Sequence, residues 1–199
     1  MSASNVVIIA SGGANIASLQ FALQRLGTTS AVSASARKIR EASHVILPGV
    51  GAAAHAMSRL RQSNLETLIC SLQQPVLGIC LGMQLLFEAS EEDEAQCLGI
   101  IPGRATRLPS DLGLPVPHMG WNTLKIDRPG ALLDGLQQDD YAYFVHSYAL
   151  PPSPAMIASS DYGLTFSACV QWRNFFGAQF HPERSATVGA RLLRNFLSL

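Results

Sequence analysis

The sequence has few charged residues and no excess of either sign. Its 199 residues include 14 basic and 14 acidic side chains, so charged residues make up 14% of the chain, against roughly 25% in an average soluble domain. The 48% apolar fraction is too high for intrinsic disorder, and a neutral chain lacks the basic footprint of a nucleic-acid-binding domain. At this length we expect residues 1–199 to form a single domain with a sizeable core.

Cysteine is also scarce. The four cysteines, at positions 70, 80, 97 and 169, form no C-x-x-C pair, so neither a zinc site nor a thioredoxin motif has support. Disulfide frameworks belong to shorter and denser secreted chains. We therefore expect no metal site, no cofactor, reduced thiols and a cytoplasmic location, with at least one thiol serving chemistry.

No apolar run is long enough to span a membrane. Residues 2–24 are uncharged, but their apolar core is only Val6–Ala10, and Ser11, Gly12 and Gly13 follow it. A membrane-spanning helix takes about 20 mainly apolar residues, and a signal peptide begins with basic residues, which Met1–Asn5 lacks. The segment predicts a buried strand, a turn and a helix rather than a membrane or export signal.

Strand and helix patterns alternate over the first ninety residues. Continuous apolar runs at 6–9, 44–47 and 75–79 are typical of strands buried on both faces. Helical patterns follow them, one from Asn15 as the N-cap to Gly27, a second over 52–60 and a third over 81–88. This order predicts an α/β fold with a mostly parallel central sheet and helices on both faces.

The pattern changes from about residue 98. Short strand-like runs lie between proline and glycine signals, which predicts antiparallel or mixed strands. They cover residues 99–108, 116–126, 141–149, 156–159, 165–171 and 175–180. A final helix has Leu192, Leu193, Phe196 and Leu197 on one face. The acidic run 91–94 is interpreted as a solvated loop after a helix.

A nucleophile motif stands between the third strand and its helix. The sequence Gly78-Ile79-Cys80-Leu81-Gly82 is the thiol version of the G-x-S-x-G nucleophile elbow. Glycines leave room for a sharp strand-to-helix turn, and the helix N-terminus lowers the pKa of a thiol and can bind an oxyanion. Cys80 is therefore the candidate nucleophile.

A base and its orienting group follow a late strand. In extended backbone, residues two apart point to the same side, so His181 and Glu183 of His181-Pro182-Glu183 can lie together. His181 would accept the proton of Cys80, and Glu183 would orient the imidazole. The other histidines, at positions 44, 55, 118 and 146, are interpreted as structural.

A second glycine turn follows the second apolar run. Gly49 to Ala54 matches the dinucleotide pattern G-x-G-x-x-A, but the acidic residue expected about 20 positions later is missing. We favour an oxyanion loop, in which a peptide N–H near Val50 or Gly51 acts together with the N–H of Leu81.

The motifs together resemble the class I (triad) glutamine amidotransferases, and among them the glutaminase subunits of imidazole glycerol phosphate synthases. Five segments spread over nearly the whole chain carry this resemblance, besides the elbow extended to Met83-Gln84. They are Leu47-Pro48-Gly49-Val50-Gly51, residues 98–103, Pro117-His118-Met119-Gly120-Trp121-Asn122, residues 143–148 and residues 179–185.

The resemblance implies a flavodoxin-like three-layer fold and hydrolysis of glutamine to glutamate and ammonia through a thioester on Cys80. Gly49, Gln84, Ser147 and Tyr148 match positions that hold glutamine. The implied partner is a TIM-barrel cyclase subunit, which receives the ammonia and makes imidazole glycerol phosphate and aminoimidazole carboxamide ribotide for histidine biosynthesis. The positions that match the partner interface are Asn15, Trp121, Asn122, Tyr143 and Arg184.

One departure and two alternatives accompany this hypothesis. The family's first loop usually has an acidic residue where this chain has Ala10, which bears on coupling to the cyclase more than on the glutaminase chemistry. One alternative is an amidotransferase of another pathway, like the pyridoxal phosphate synthase glutaminase, whose Pro-Gly-Gly-Glu loop differs from residues 48–51. The other is a non-catalytic subunit or thiol sensor with a cysteine elbow.

Overall fold

A computed structural model describes residues 5–10, 16–111 and 113–199. The strands are β1 (Val6–Ile9), β2 (Ser30–Ser33), β3 (His44–Gly49), β4 (Val76–Cys80), β5 (Phe87–Ser90), β6 (Ala95–Gln96), β7 (Ile101–Arg107), β8 (His118–Thr123), β9 (Lys125–Ile126), β10 (Tyr141–His146), β11 (Tyr148–Ala149), β12 (Met156–Asp161), β13 (Thr165–Trp172) and β14 (Phe175–Ala178). The helices are α1 (Ile16–Arg25), α2 (Ala36–Glu41), α3 (Ala53–Gln62), α4 (Glu66–Ser71), α5 (Leu81–Gln84) and α6 (Ala186–Phe196).

The central sheet has eight strands in the order β2-β1-β3-β4-β14-β13-β12-β9. The five strands from β2 to β14 are parallel, and β13, β12 and β9 extend the sheet antiparallel. A four-stranded sheet, β11-β7-β5-β6, and a two-stranded antiparallel ribbon, β10-β8, complete the described strands. The predicted flavodoxin-like architecture, with mixed strands in the second half, is confirmed.

Helices cover both faces of the sheet, so the side chains of β1 alternate between two cores. Val6 and Ile8 belong to a core built with α1 and α6, whereas Val7 and Ile9 belong to a core built with α2, α3 and α4. All four residues are buried, which is why this strand is a continuous apolar run. The predicted apolar face of α6 lies in the first core.

The helix predicted over 81–88 is wrong in its second half. Helix α5 ends at Gln84, and Phe87 begins strand β5, where it is paired with Ile101 of β7. A run of buried apolar residues fits a helix and a strand equally well, and here the pairing with β7 decides. The acidic run 91–94 therefore follows a strand, not a helix, and contains a short 3-10 turn.

Strand β2 and helices α2 and α4 have no counterpart in the predicted pattern, and neither has the two-residue strand β6. Strand β2 lies at the edge of the sheet and reads Ser-Ala-Val-Ser, so it lacks the apolar run of a doubly buried strand. Helices α2 and α4 have only six residues each, too few for a helical period to stand out. The predicted stop of α1 is confirmed, because Gly27 adopts a positive φ of 76° just after it. None of the described helices is long and apolar enough to cross a membrane.

Candidate active site

Cys80 lies at a strained turn between β4 and α5. It is the last residue of β4, has φ 53° and ψ −116°, and is followed at once by the first residue of α5. A positive φ at a residue with a side chain is uncommon and is concentrated at functional sites. The elbow predicted from the sequence is therefore present, with the thiol at the carboxyl end of the parallel sheet.

The elbow depends on glycines because backbone passes backbone without room for a side chain. A Cβ atom at Gly49 would lie 2.5 Å from the N atom of Gly82, and one at Gly82 would collide with the carbonyl oxygen of Leu47. The end of β3 thus packs directly on the first turn of α5. This contact brings the Val50–Gly51 loop beside Cys80, although Gly49 itself packs behind the site.

His181 and Glu183 form the predicted pair. His181 Nδ1 donates to Glu183 Oε1 over 2.9 Å, and the two side chains are only 13% and 6% exposed. Burial opposes a charge on the imidazole, but hydrogen bonds to Cys80 and Glu183, with the attraction of their charges, outweigh it and raise the pKa of His181 to about 10. The geometry therefore favours an imidazolium beside the sulfur.

The His181 segment is tied to strand β10. The N–H of His181 donates to the carbonyl of Tyr143 over 3.0 Å. The hydroxyl of buried Ser185 donates to the carbonyl of His181 over 2.8 Å and accepts the N–H of Tyr143 over 2.9 Å. These hydrogen bonds hold His181 against β10, which belongs to the two-stranded ribbon and not to the central sheet.

A pocket of about 290 Å³ opens over the thiol. It brings together all three predicted oxyanion residues and three of the four predicted glutamine-binding residues. Its lining consists of Val50, Gly51, Cys80, Leu81, Gln84, Glu92, Pro117, Val145, His146, Ser147, Tyr148 and His181. Gly49 instead lines a smaller adjoining cavity together with Glu183.

The side chain of Gln84 is buried and held by hydrogen bonds within the chain. Its Nε2 donates to the carbonyl of Tyr148 over 2.9 Å and to Oε1 of Gln179 over 3.0 Å. Both amide hydrogens are therefore donated within the chain. Gln84 helps to shape the pocket wall at Tyr148, and its predicted contact with glutamine stays a prediction.

Glu92 is a pocket residue that the sequence analysis missed. It belongs to the acidic run assigned to solvent, yet it lines the pocket, and its Oε2 accepts the N–H of Ala53, the first residue of α3, over 2.8 Å. Burial raises the pKa of its carboxyl, and the hydrogen bond from Ala53 only partly opposes this. The sequence gives no signal for which of four consecutive acidic residues points inward.

Two buried histidines stand behind the pocket wall. His118 Nδ1 and His146 Nε2 are 3.0 Å apart, and His146 Nδ1 is 2.9 Å from the carbonyl of Tyr148. Burial lowers the pKa of His118 to about 4 and that of His146 to about 3. Both imidazoles are therefore neutral at physiological pH.

The predicted interface residues occupy different positions. Trp121 is 51% exposed and meets Tyr143 edge to face, and the guanidinium of exposed Arg184 lies 4.7 Å from the ring centroid of Tyr143. Asn122 is engaged within the chain, where its Nδ2 donates to the carbonyl of Asp161 over 2.8 Å. Asn15, predicted as both N-cap and interface residue, lies outside the described residues.

The described residues contain no group of three or more histidine, cysteine, aspartate or glutamate side chains that could hold a metal ion. The four cysteines are free. Burial raises the pKa of the Cys97 thiol to about 11 and also raises that of Cys169. Among the thiols, only Cys80 lies at the elbow beside an imidazole.

Comparison with known proteins gives one consistent family. Residues 7–199 match the family model for class-I glutamine amidotransferases. Imidazole glycerol phosphate synthase subunit HisH of Xanthomonas euvesicatoria pv. vesicatoria (strain 85-10) is 52% identical over 195 residues, which are 98% of each chain. Subunit HisH 2 of Legionella pneumophila (strain Paris) is 52% identical over 194 residues, with the same coverage.

Solved structures support the fold. A protein from Thermoplasma acidophilum, described as a putative GMP synthase subunit, superposes with a TM-score of 0.78 at 18% identity, over 100% of this chain and 94% of that chain. A structure described as a glutamine amidotransferase superposes with a TM-score of 0.75 at 19% identity, over 97% of each chain. Both share the mixed α/β architecture described above.

Proposed function

The chain belongs to the class-I glutamine amidotransferase family, and on that premise we propose that it is the glutaminase subunit of an imidazole glycerol phosphate synthase. Residues 1–199 act as one amidotransferase domain. The relatives that are 52% identical over 98% of this chain carry that subunit's name. This disfavours the alternatives of a pyridoxal phosphate synthase glutaminase and a thiol sensor.

The hydrolysis begins with attack by Cys80 on the side-chain amide of glutamine. His181 holds the proton of the thiol and gives it to the leaving nitrogen as the C–N bond breaks, so that ammonia departs and a glutamyl thioester remains. His181 then takes a proton from water, whose oxygen attacks the thioester and releases glutamate and Cys80. Glu183, 2.9 Å from His181 Nδ1, keeps the imidazole oriented and stabilises its charged form.

The oxyanion of each tetrahedral intermediate needs donors close to the sulfur. Leu81 follows Cys80 directly at the start of α5, where backbone N–H groups are free and the helix dipole is positive. Val50 and Gly51 line the same pocket. We assign the second donor to the peptide N–H near Val50 or Gly51.

The pocket offers opposite polarity for the two ends of glutamine. The carboxylate of Glu92 suits the α-ammonium group, since a partly buried ion pair with hydrogen bonds is favourable. The backbone at Ser147 and Tyr148, with Gln84 behind it, suits the amide and carboxylate ends. The reaction needs no cofactor and no metal.

The ammonia passes to a TIM-barrel cyclase subunit bound as the partner in a heterodimer. There it is used to form imidazole glycerol phosphate and aminoimidazole carboxamide ribotide, a step of histidine biosynthesis that places the complex in the cytoplasm. The exposed Trp121 with Tyr143 and Arg184 forms part of the partner interface. Asn15 and Asn122 are further interface candidates.

The observation that carries this proposal is that Cys80 and His181 line one pocket while Glu183 accepts a hydrogen bond from Nδ1 of His181. In the complex with the cyclase, Cys80→Ser should abolish synthesis from glutamine and leave synthesis from added ammonium near the wild-type rate, because the cyclase is untouched. Cys70→Ser, at an exposed thiol, should leave both rates unchanged. Loss of both activities in Cys80→Ser would contradict the division of labour between the subunits.

A further inference from the structure

The side chain of Gln179 lies between the nucleophile and the pocket wall. It is completely buried two residues before His181. Its Nε2 is 3.7 Å from Cys80 Sγ, and its Oε1 accepts a hydrogen bond from Gln84 over 3.0 Å. A primary amide in this position can offer the sulfur an N–H without carrying a charge.

The orientation of the Gln179 amide is determined by its neighbours. The carbonyl of Tyr148 can only accept hydrogen bonds, so the atom of Gln84 that contacts it at 2.9 Å must be the nitrogen. The second hydrogen of that nitrogen goes to Gln179, which must therefore present its oxygen to Gln84. Its nitrogen is left to face Cys80.

The same carbonyl also contacts His146, which is in turn held by His118. His146 Nδ1 donates to Tyr148 over 2.9 Å, so His146 Nε2 is the acceptor for Nδ1 of His118 at 3.0 Å. Stacking on Tyr162, with ring centroids 4.0 Å apart, fixes His118. The Tyr148 carbonyl thus anchors a buried chain of hydrogen bonds that ends at the catalytic sulfur.

The sulfur alternates between two protonation states during the reaction. As a thiol, Cys80 can donate to the carbonyl of Val145, which is 3.6 Å away. As a thiolate it repels that carbonyl and needs donors, because a buried charge without hydrogen bonds is strongly disfavoured. His181 supplies one donor only while it keeps the proton, whereas the Gln179 N–H is present throughout.

We propose that Gln179 is a further catalytic residue of the glutaminase reaction, which donates a hydrogen bond to the Cys80 thiolate and to the sulfur as it leaves the thioester. The inference rests on the proposed glutaminase function. Gln84 and the Tyr148 carbonyl orient this donor, and His118 and His146 act as positioning residues for that carbonyl.

The first test is the pH profile of Cys80 alkylation in the full chain, with and without the cyclase. Iodoacetamide labelling is followed by mass spectrometry with fragment spectra that localise the label to Cys80, because Cys70, Cys80 and Cys97 all lie between Arg61 and Arg104 and share one tryptic peptide. Gln179→Met keeps the size but removes the donor. It should raise the labelling midpoint by about one pH unit. Gln171→Met, at a partly buried glutamine of β13, should match wild type.

The second test is steady-state glutaminase kinetics of the same proteins in the complex. Gln179→Met should lower kcat at least tenfold while KM for glutamine changes less than about threefold.

Two outcomes would overturn the proposal. A rise in KM alone would show that Gln179 acts only through Gln84, and an unchanged labelling midpoint in a folded variant would show that it does not stabilise the thiolate. If Gln179→Met does not fold, Gln179→Glu, which keeps the acceptor for Gln84, should also raise the midpoint. A wild-type complex without glutaminase activity would instead refute the proposed function, because the labelling profile does not depend on turnover.

Discussion

In the proposed function two tasks fall to different residues, namely chemistry at the sulfur of Cys80 and recognition of the α-amino and carboxylate groups of glutamine. The candidate residues for the chemistry could be picked out in the sequence, because Gly-x-Cys-x-Gly and His-Pro-Glu are local patterns with a physical reason for each position. Glu92 could not, since a run of four acidic residues is usually solvated. Only the path of β5 and the turn after it directs one of the four carboxylates to the N-terminus of α3 and the pocket.

Glu183→Gln should lower kcat of the glutaminase in the complex by about 10- to 1000-fold without unfolding the chain. The amide can no longer stabilise the imidazolium and can hold the wrong tautomer of His181. Glutaminase turnover and a thermal melt check both halves of this prediction. Glu41→Gln, at an exposed residue paired with Arg37, is the control, and a turnover equal to that control would remove Glu183 from the mechanism.

Glu92→Gln should raise KM for glutamine about tenfold and change kcat little. The amide oxygen can still accept the N–H of Ala53, so the start of α3 is preserved while the charge that faces the α-ammonium is lost. Glutaramic acid, which is glutamine without its α-amino group, should be hydrolysed equally by the variant and wild type. Glu91→Gln, whose carboxylate bonds the N–H of Arg107 instead, should leave both parameters unchanged. A variant that still prefers glutamine as strongly as wild type would refute the assignment.

At the scale of elements, the positions of the strands could be predicted from the sequence better than the pairing between them. Every strand-like run after residue 98 contains a strand, because alternation and turn residues are local properties, but the runs 116–126 and 141–149 each divide into two strands. The ribbon of β8 and β10 pairs segments about twenty residues apart, and β14 joins β4 across a hundred residues. Such pairings depend on the packing of the whole sheet, as does the replacement of the second half of the predicted 81–88 helix by β5.

The ribbon also makes the fold sensitive to acid. His118 and His146 stay neutral when folded, with pKa values lowered by burial to about 4 and about 3, whereas in the unfolded chain they titrate near 6.5. Below pH 6.5 the unfolded state therefore binds more protons. Stability should fall by roughly 2 kcal/mol per pH unit between about pH 6 and pH 4, because both histidines contribute.

Urea unfolding at pH 7.5, 6.0 and 5.0 measures this dependence. His118→Gln removes one titrating group but keeps a donor for His146, so its stability should fall less steeply with acid than that of wild type. His55→Gln, at an exposed histidine of α3, should keep the wild-type slope. Equal slopes for His118→Gln and wild type would mean that the buried pair does not carry the effect.

For the whole molecule, the low fraction of charged residues is compatible with a partner that covers part of the surface. Three large apolar residues on the ribbon of β8 and β10, Met119, Trp121 and Tyr141, are each more than half exposed, as is Phe21 of α1. Residues 11–15 lie outside the described residues; they directly follow Ala10, which stands where the family usually has an acidic residue. The sequence could indicate this interface only through its resemblance to a family, since an exposed aromatic side chain carries no periodic signal.

Trp121→Ala should weaken binding to the cyclase subunit at least tenfold, because large aromatic side chains at the centre of an interface carry much of the binding free energy. Titration calorimetry of the two purified subunits measures the affinity directly. Val32→Ala removes an exposed apolar side chain from β2, at the sheet edge opposite to β12 and the ribbon, and should bind like wild type. At saturating cyclase, Trp121→Ala should recover synthesis from glutamine, since the triad is intact. Unchanged affinity would mean that the interface lies away from the ribbon, because truncation of a tryptophan at the centre of an interface weakens binding.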